Sequence, residues 1–507
     1  MAMPPISLPT PDARPAPSSF RVPGHGRAWA CFVLIGAALL AAALWAAGGI
    51  GREQAYAEVA AAARNAAALK VALLTAELDK QRSLPFVLAQ DSEVRTALAT
   101  GDPARYGALN LKFEALSRDT GAAVIYLLAR VVTTLLMVAA AAASTASSRF
   151  GAHATIGDLA VGWDAAWYWF TALNGYPVHL PTNTAGLVTE NSWAFMPLYA
   201  YLAQGLGTAL GGWGAGAVAI SLISGYLASI VLFTITRMRL DETSSMWAVA
   251  FFASGPLAAL FQVGYAESLF LLWLFLALWA VLRRRYGWVY PLIILMAATR
   301  PGVLAFALFL GLHGIVRLVH RRAEPLRGRD VAHILSLGAL GVVAGFAWQF
   351  IAGWVTGNPN AYLLTELSWR RNWIADASPH FAPFDGFAVA VPFWSTQWGW
   401  PAAVGFVVLA LALVGIATLL LFEPHVRRMG VELRLWTASY LLYLLAVFFP
   451  QSSIFRLLVP VAPLTAGALA VARAWWWRVG VLLVCIALQW LWIYNVYGLA
   501  NTFWRIP

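Results

Sequence analysis

From about residue 130 to the C-terminus, apolar runs of roughly twenty residues alternate with short polar breaks, the length a helix needs to cross a bilayer. Spans are predicted near 130–146, 214–236, 244–262, 266–282, 286–299, 302–317, 332–355, 400–422, 433–449, 457–472 and 479–499. One further apolar run, AWACFVLIGAALLAAALWA at 29–47, follows Arg21 and Arg27 and reads as an anchor entering from the cytoplasm, a cleaved signal peptide being the alternative. Between these regions the pattern changes. Residues 48–128 have ordinary charge content and apolar positions at helical spacing, so a water-exposed helical segment is expected there. Residues 1–28, rich in Pro, Arg and Ser, read as a disordered cytoplasmic tail.

Composition supports the membrane reading. The 507 residues are 61% hydrophobic and 11% charged, with a mean hydropathy of +0.69, against about half apolar and about a quarter charged in soluble domains. The net charge of +11 does not point to nucleic acid, because the basic residues sit in short clusters between apolar runs. Cys31 and Cys485 both lie inside apolar runs, so neither a disulfide framework nor a metal-thiolate site is expected.

The basic clusters orient the chain. RMR (237–239), RRR (283–285), the loop 317–329, HVRR (425–428) and RAWWWR (473–478) all fall on the cytoplasmic side if the span near 130 runs outward. Five polar segments then gather on the outer side: 147–213, GYAES (264–268), TRPG (299–302), the loop opening at 357–373, and FPQSSIFR (449–456). Charged residues there break the orientation rule at some cost and are functional candidates by default. An anchor at 29–47 followed by an external segment would invert this arrangement. The second part of the chain is therefore expected to begin naturally near residue 129, and a chain starting there to remain active.

Two resemblances add to this reading. QRSLPFVLAQDSEVRTAL (81–98) with LNLKFEALSRDTGAAVIYL (109–127) resembles the start of the extracytoplasmic sensor region of C4-dicarboxylate sensor histidine kinases, over roughly residues 20–128. The pattern stops after Tyr126, and no phosphoacceptor or ATP-binding boxes follow, so ligand sensing is not the expected activity. Over 130–507, WDAAWYWFTALNGYP (163–177), AFMPLYAYLAQGLG (194–207), YAES with TRPG, GNPNAY (357–362) followed by Trp and Arg, and SIFRLLVPVAPL (453–464) together resemble the PIG-V-like, GPI-mannosyltransferase-type family of GT-C membrane glycosyltransferases.

That resemblance implies an all-α polytopic protein: a GT-C-like bundle of about eleven transmembrane helices with large outer loops, here preceded by an extra span and a helical segment. It implies transfer of a hexose, with mannose the expected sugar, from a polyprenyl phosphate to an acceptor hydroxyl on a glycan, lipid or protein, at the outer face of a bacterial plasma membrane. Such chemistry needs a base for the hydroxyl proton, and Asp164 is the candidate; the alternative is an aspartate capping a surface helix among interfacial aromatics. Asp158 is a supporting acid or, more simply, a helix cap. Trp163, Trp167 and Tyr168 are expected to form a sugar-stacking or apolar wall. Arg300, Arg370 and Arg456, with Arg371, are candidates to stabilise the lipid phosphate, since arginine offers two parallel hydrogen bonds to such a group; Arg300 could instead snorkel to headgroups. Tyr265 and Glu267 are expected to orient the sugar or to pair with an arginine. No cofactor and no required metal are expected, because no paired acids or histidines with ligand spacing appear on that face. The stretch 194–212 reads as an interfacial helix with Pro197 in its first turn. The competing class is a lipid-phosphate transporter or flippase-like protein without chemistry.

Overall fold

The computed structural model describes residues 103–374 and 377–500, with side chains from residue 121 onward. The tail at 1–28, the run at 29–47 and the segment 48–102 lie outside the described residues. Among those described, the architecture is helical throughout, and the one β-type pairing is an isolated bridge between Thr182 and Val188.

Among the described residues each of the eleven apolar runs from 130 onward contains helix, though 244–262 and 457–472 are broken into shorter pieces. Five are long and apolar enough to cross a membrane: Gly121–Ala142, Trp213–Arg237, Gly328–Thr356, Ala402–Phe422 and Trp475–Leu499. The others are shorter; Val303–Val319, with 17 residues, reaches only about 26 Å against a hydrocarbon core of about 30 Å. The chain is an all-α membrane protein by this measure. Burial sorts the helices further. Glu267–Leu282 is apolar on every side and almost wholly enclosed, as expected of a helix at the centre of a bundle. Ala402–Phe422 is equally apolar and buries none of its residues, which leaves it facing lipid.

The helix at Pro197–Leu210 begins with its proline at the first helical position, where the missing N–H costs least. Its inner face packs on Trp213–Arg237 so closely that a Cβ on Gly216 would lie 2.3 Å from the Ala203 carbonyl oxygen. Tyr199 Oη donates to the Ala217 carbonyl at 2.9 Å, and Trp213 Nε1 to the Ala200 carbonyl at 3.0 Å, so the contact is pinned by polar bonds as well as by shape. Tyr201, Leu202 and Leu210 stay exposed on the other face.

The first described helix, Pro103–Ala142, runs without interruption through residue 129. Ala122 and Tyr126 are buried, and Tyr126 belongs to the main apolar core. Its hydroxyl donates to the Leu222 carbonyl at 3.0 Å. One turn later Arg130 is buried with its guanidinium donating to the carbonyls of Ala253 and Ala258, while the rings of Tyr126 and Phe261 cover it at 5.0 and 5.1 Å. Packing therefore extends at least to Ala122, ahead of the junction read near residue 129.

The two ends of the bundle differ. At one, the basic clusters pair with nearby acids: Arg284 with Glu324, Arg239 with Glu432 at 3.5 Å and Arg473 with Asp241 at 2.9 Å. Asp241 caps the Glu242–Ala253 helix, and the Ser244 backbone N–H, ahead of Arg473, holds its carboxyl down at about 2. At the other end all five polar segments meet.

Candidate active site

Asp164 opens the helix Asp164–Asn174, and the residue before it is unusual. Trp163 has φ 54° and ψ −124°, a backbone state that a bulky residue adopts only under constraint. The constraint is visible: Trp163 Nε1 donates to the Val496 carbonyl at 2.9 Å, and the Arg149 guanidinium lies 4.0 Å from its ring. Anchoring the indole there starts the helix abruptly and leaves the Asp164 carboxylate at its N-terminal end, on the wall of a cavity of about 720 Å³. Helix N-termini favour negative charge.

From Asp164 an ionic chain crosses three segments that are far apart in sequence. Arg456 Nη1 donates to Asp164 Oδ2 and, at 3.2 Å, to Glu267 Oε1; Arg300 Nη1 closes on the same Glu267 oxygen. Glu267 is buried in the first turn of its own helix, a further favourable place for a carboxylate. Arg456 rests 5.5 Å from the Tyr265 ring centroid, and its Nε is buried without a hydrogen-bond partner. A buried guanidinium N–H with no acceptor is costly. Arg370 is the third arginine on the wall; its Nη1 donates to Asp385 Oδ2 at 2.7 Å.

Asp164, Tyr168, Arg300, Arg370 and Arg456 thus line one cavity, with Glu267 and Tyr265 directly behind the arginines. The remaining candidates lie elsewhere. The Trp163 indole is spent on fixing the backbone. Trp167 stacks on Phe195 at 5.7 Å and, with Trp169 and Phe170, lines a separate outer pocket of about 660 Å³. Arg371 donates to the Val188 carbonyl and so ties the 357–373 loop to the first outer loop, together with Asn191 Nδ2 on Thr365 Oγ1 at 2.9 Å. Asp158 forms a reciprocal cap with Thr155, whose backbone N–H and hydroxyl lower the Asp158 carboxyl below its ordinary range.

The cavity also contains residues that sequence reasoning did not single out. Glu366 and Tyr362 stand four apart on the short helix Ala361–Ser368, on one face of it. Their spacing within an outer loop was the available signal. Gln349 and Tyr443 complete the wall near them, and being uncharged and inside apolar runs they gave none.

No family model matches the chain. Among curated proteins, it is 44% identical over 104 residues to the C4-dicarboxylate transport sensor protein DctB of Rhizobium meliloti. That likeness covers 20% of this chain and only 17% of the sensor protein's own length, in accord with the resemblance read in the N-terminal part.

Proposed function

We propose that the chain is a membrane glycosyltransferase of the PIG-V-like, GT-C kind, an eleven-span bundle that moves a hexose from a polyprenyl phosphate to an acceptor hydroxyl on the outer face. The observation that carries this reading is the pairing of Asp164 with Arg456 on the wall of a cavity large enough for a sugar phosphate. Arg456 and Arg300 would hold the phosphate of the donor. A phosphate oxygen competing for Arg456 would loosen its grip on Asp164 and free the carboxylate to accept a proton. The acceptor hydroxyl then gives its proton to Asp164 and its oxygen bonds to the anomeric carbon from the face opposite the phosphate. The bond from that carbon to the phosphate oxygen breaks, its electron pair leaves with the polyprenyl phosphate, and the arginines stabilise the added charge. Apolar lining such as Val303, Leu304 and Ala344 suits the first isoprene units.

Membranes carrying the chain are expected to move labelled mannose from polyprenyl-phosphate mannose to an endogenous acceptor. Label that stays in the donor with every glycan, lipid and protein fraction supplied would overturn the assignment.

Sidedness is tested separately. Thr184 is exposed in the first outer loop, and substituting it leaves intact the turn in which Asn183 Oδ1 accepts from the N–H groups of Ala185 and Leu187. Thr184→Cys is expected to react with an impermeant thiol reagent from outside intact cells, while Cys485 is buried. Reaction only after permeabilisation would place the cavity on the wrong face for an extracytoplasmic donor.

A further inference from the structure

The ions around the cavity pair almost completely. Arg300 has Glu267, Arg456 has Asp164, and Arg370 has Asp385. Three arginines thus meet three carboxylates, and Glu366, on the same wall, is a fourth acid for which no Arg, Lys or His comes within ion-pair distance among the described residues. Tyr362, one turn earlier on the same helix and on the same wall, is the polar neighbour that favours its ionised form.

Ionisable groups on the neighbouring elements do not supply a counter-ion either. Residues 334–356 of the adjoining long helix carry no ionisable side chain. The turn that follows Glu366 offers Arg370 and Arg371, which are held by Asp385 and by the Val188 carbonyl. Glu190, beside the 192–194 turn, accepts from Asn372. Across the cavity, Glu366 faces the charges of Asp164 and Arg300, with Tyr443 beside Tyr362.

We propose that Glu366 takes part in substrate binding as a neutral carboxylic acid, donating a hydrogen bond to an anionic phosphodiester in this cavity, so that binding is coupled to the presence of a proton on Glu366. The inference rests on the lipid-phosphate reading above and adds to it a residue and a proton. The electrostatics agree: burial chiefly, and Asp164 in addition, push the Glu366 carboxyl up to about 7, while the Tyr362 bond and Arg300 oppose the shift. An incoming phosphodiester adds negative charge to a site whose arginines are already matched. An ionised Glu366 would repel it, whereas a protonated one offers an O–H.

The test uses the full chain in lipid nanodiscs and a short-chain polyprenyl-phosphate mannose, a phosphodiester whose single charge does not change between pH 6 and pH 8.5. If only the protonated form binds, the apparent Kd should rise about thirty-fold over that interval, following the loss of the competent fraction above a pKa of about 7. Glu366→Gln keeps an uncharged side chain with a hydrogen donor, and should bind at both pH values with the affinity of the wild type at pH 6. An unchanged elution profile and melting temperature would show that this variant folds. In parallel, the infrared stretch of a protonated carboxylic acid should be present at pH 6, weaken at pH 8.5 and be absent from Glu366→Gln. A wild-type profile that is flat with pH, or a Glu366→Gln variant that retains the full slope, overturns the proposal while leaving the lipid-phosphate reading intact. No binding by the wild type at either pH overturns both.

Discussion

Asp164→Asn is expected to lower sugar transfer by about a hundred- to ten-thousand-fold, the range for removal of a positioned acid–base group, while membrane levels of the protein stay unchanged. The substitution is sterically mild. The amide oxygen of the variant can still accept from Arg456, and Glu267 remains as the second partner of that arginine. What disappears is the capacity to accept a proton. Binding of polyprenyl-phosphate mannose should therefore persist as transfer collapses, and this combination separates an enzyme from a lipid-phosphate transporter. Full activity in the variant would remove Asp164 from the proposed role. Arg456 is a poorer first target, because deleting it removes the partner of Asp164 and one of the two partners of Glu267 at once. Lost activity there would report misfolding as readily as chemistry.

The second large effect concerns where the packed unit begins. Starting the chain at Ala129 is expected to abolish accumulation of folded protein, whereas starting it at Gly121, which keeps Ala122 and Tyr126, should restore accumulation. Composition alone suggests the opposite for residue 129. The reason for the change is Tyr126, which is buried in the main core, bonds to the Leu222 carbonyl and covers the Arg130 guanidinium. Removing a large buried aromatic side chain costs about 3–5 kcal/mol, and here it would also uncover a buried cation. Extraction yield and elution profile of the two truncations in mild detergent decide the matter. Equal yields would show that residues 121–128 are dispensable after all.

The linear pattern carried a good deal. Among the described residues helices stand where the apolar runs place them, because a run of about twenty apolar residues has few other ways to satisfy its backbone in lipid. Clusters of like charge read the two ends of the bundle correctly as groups: the five polar segments converge, and the basic clusters find partners at the opposite end. Asp164, Arg300, Arg370 and Arg456 were legible for the same reason, since a charge at the edge of an apolar run is conspicuous.

Other features depended on contacts that no local pattern encodes. Nothing in VGWDAAWYW says that the Trp163 indole is held by Val496, 333 residues away, or that this contact fixes the turn that presents Asp164. Trp163, Trp167 and Tyr168 look equivalent in sequence, yet only Tyr168 lines the cavity with Asp164, because neighbours on one helix diverge in direction by about 100° per residue. Glu366 looked like an ordinary loop acid. Its significance comes from the pairing of the three cavity arginines, Arg300, Arg370 and Arg456, with other carboxylates, and that count exists only once segments near residues 164, 267, 300, 370, 385 and 456 have been brought together. The sequence alone determined which stretches are helical, which are apolar and which end of the bundle each polar segment belongs to, since hydropathy and charge act locally. Only the tertiary structure decided which side chains share the cavity, which charges are matched and that Tyr126 belongs to the core, since each of these is a property of pairs of residues distant along the chain.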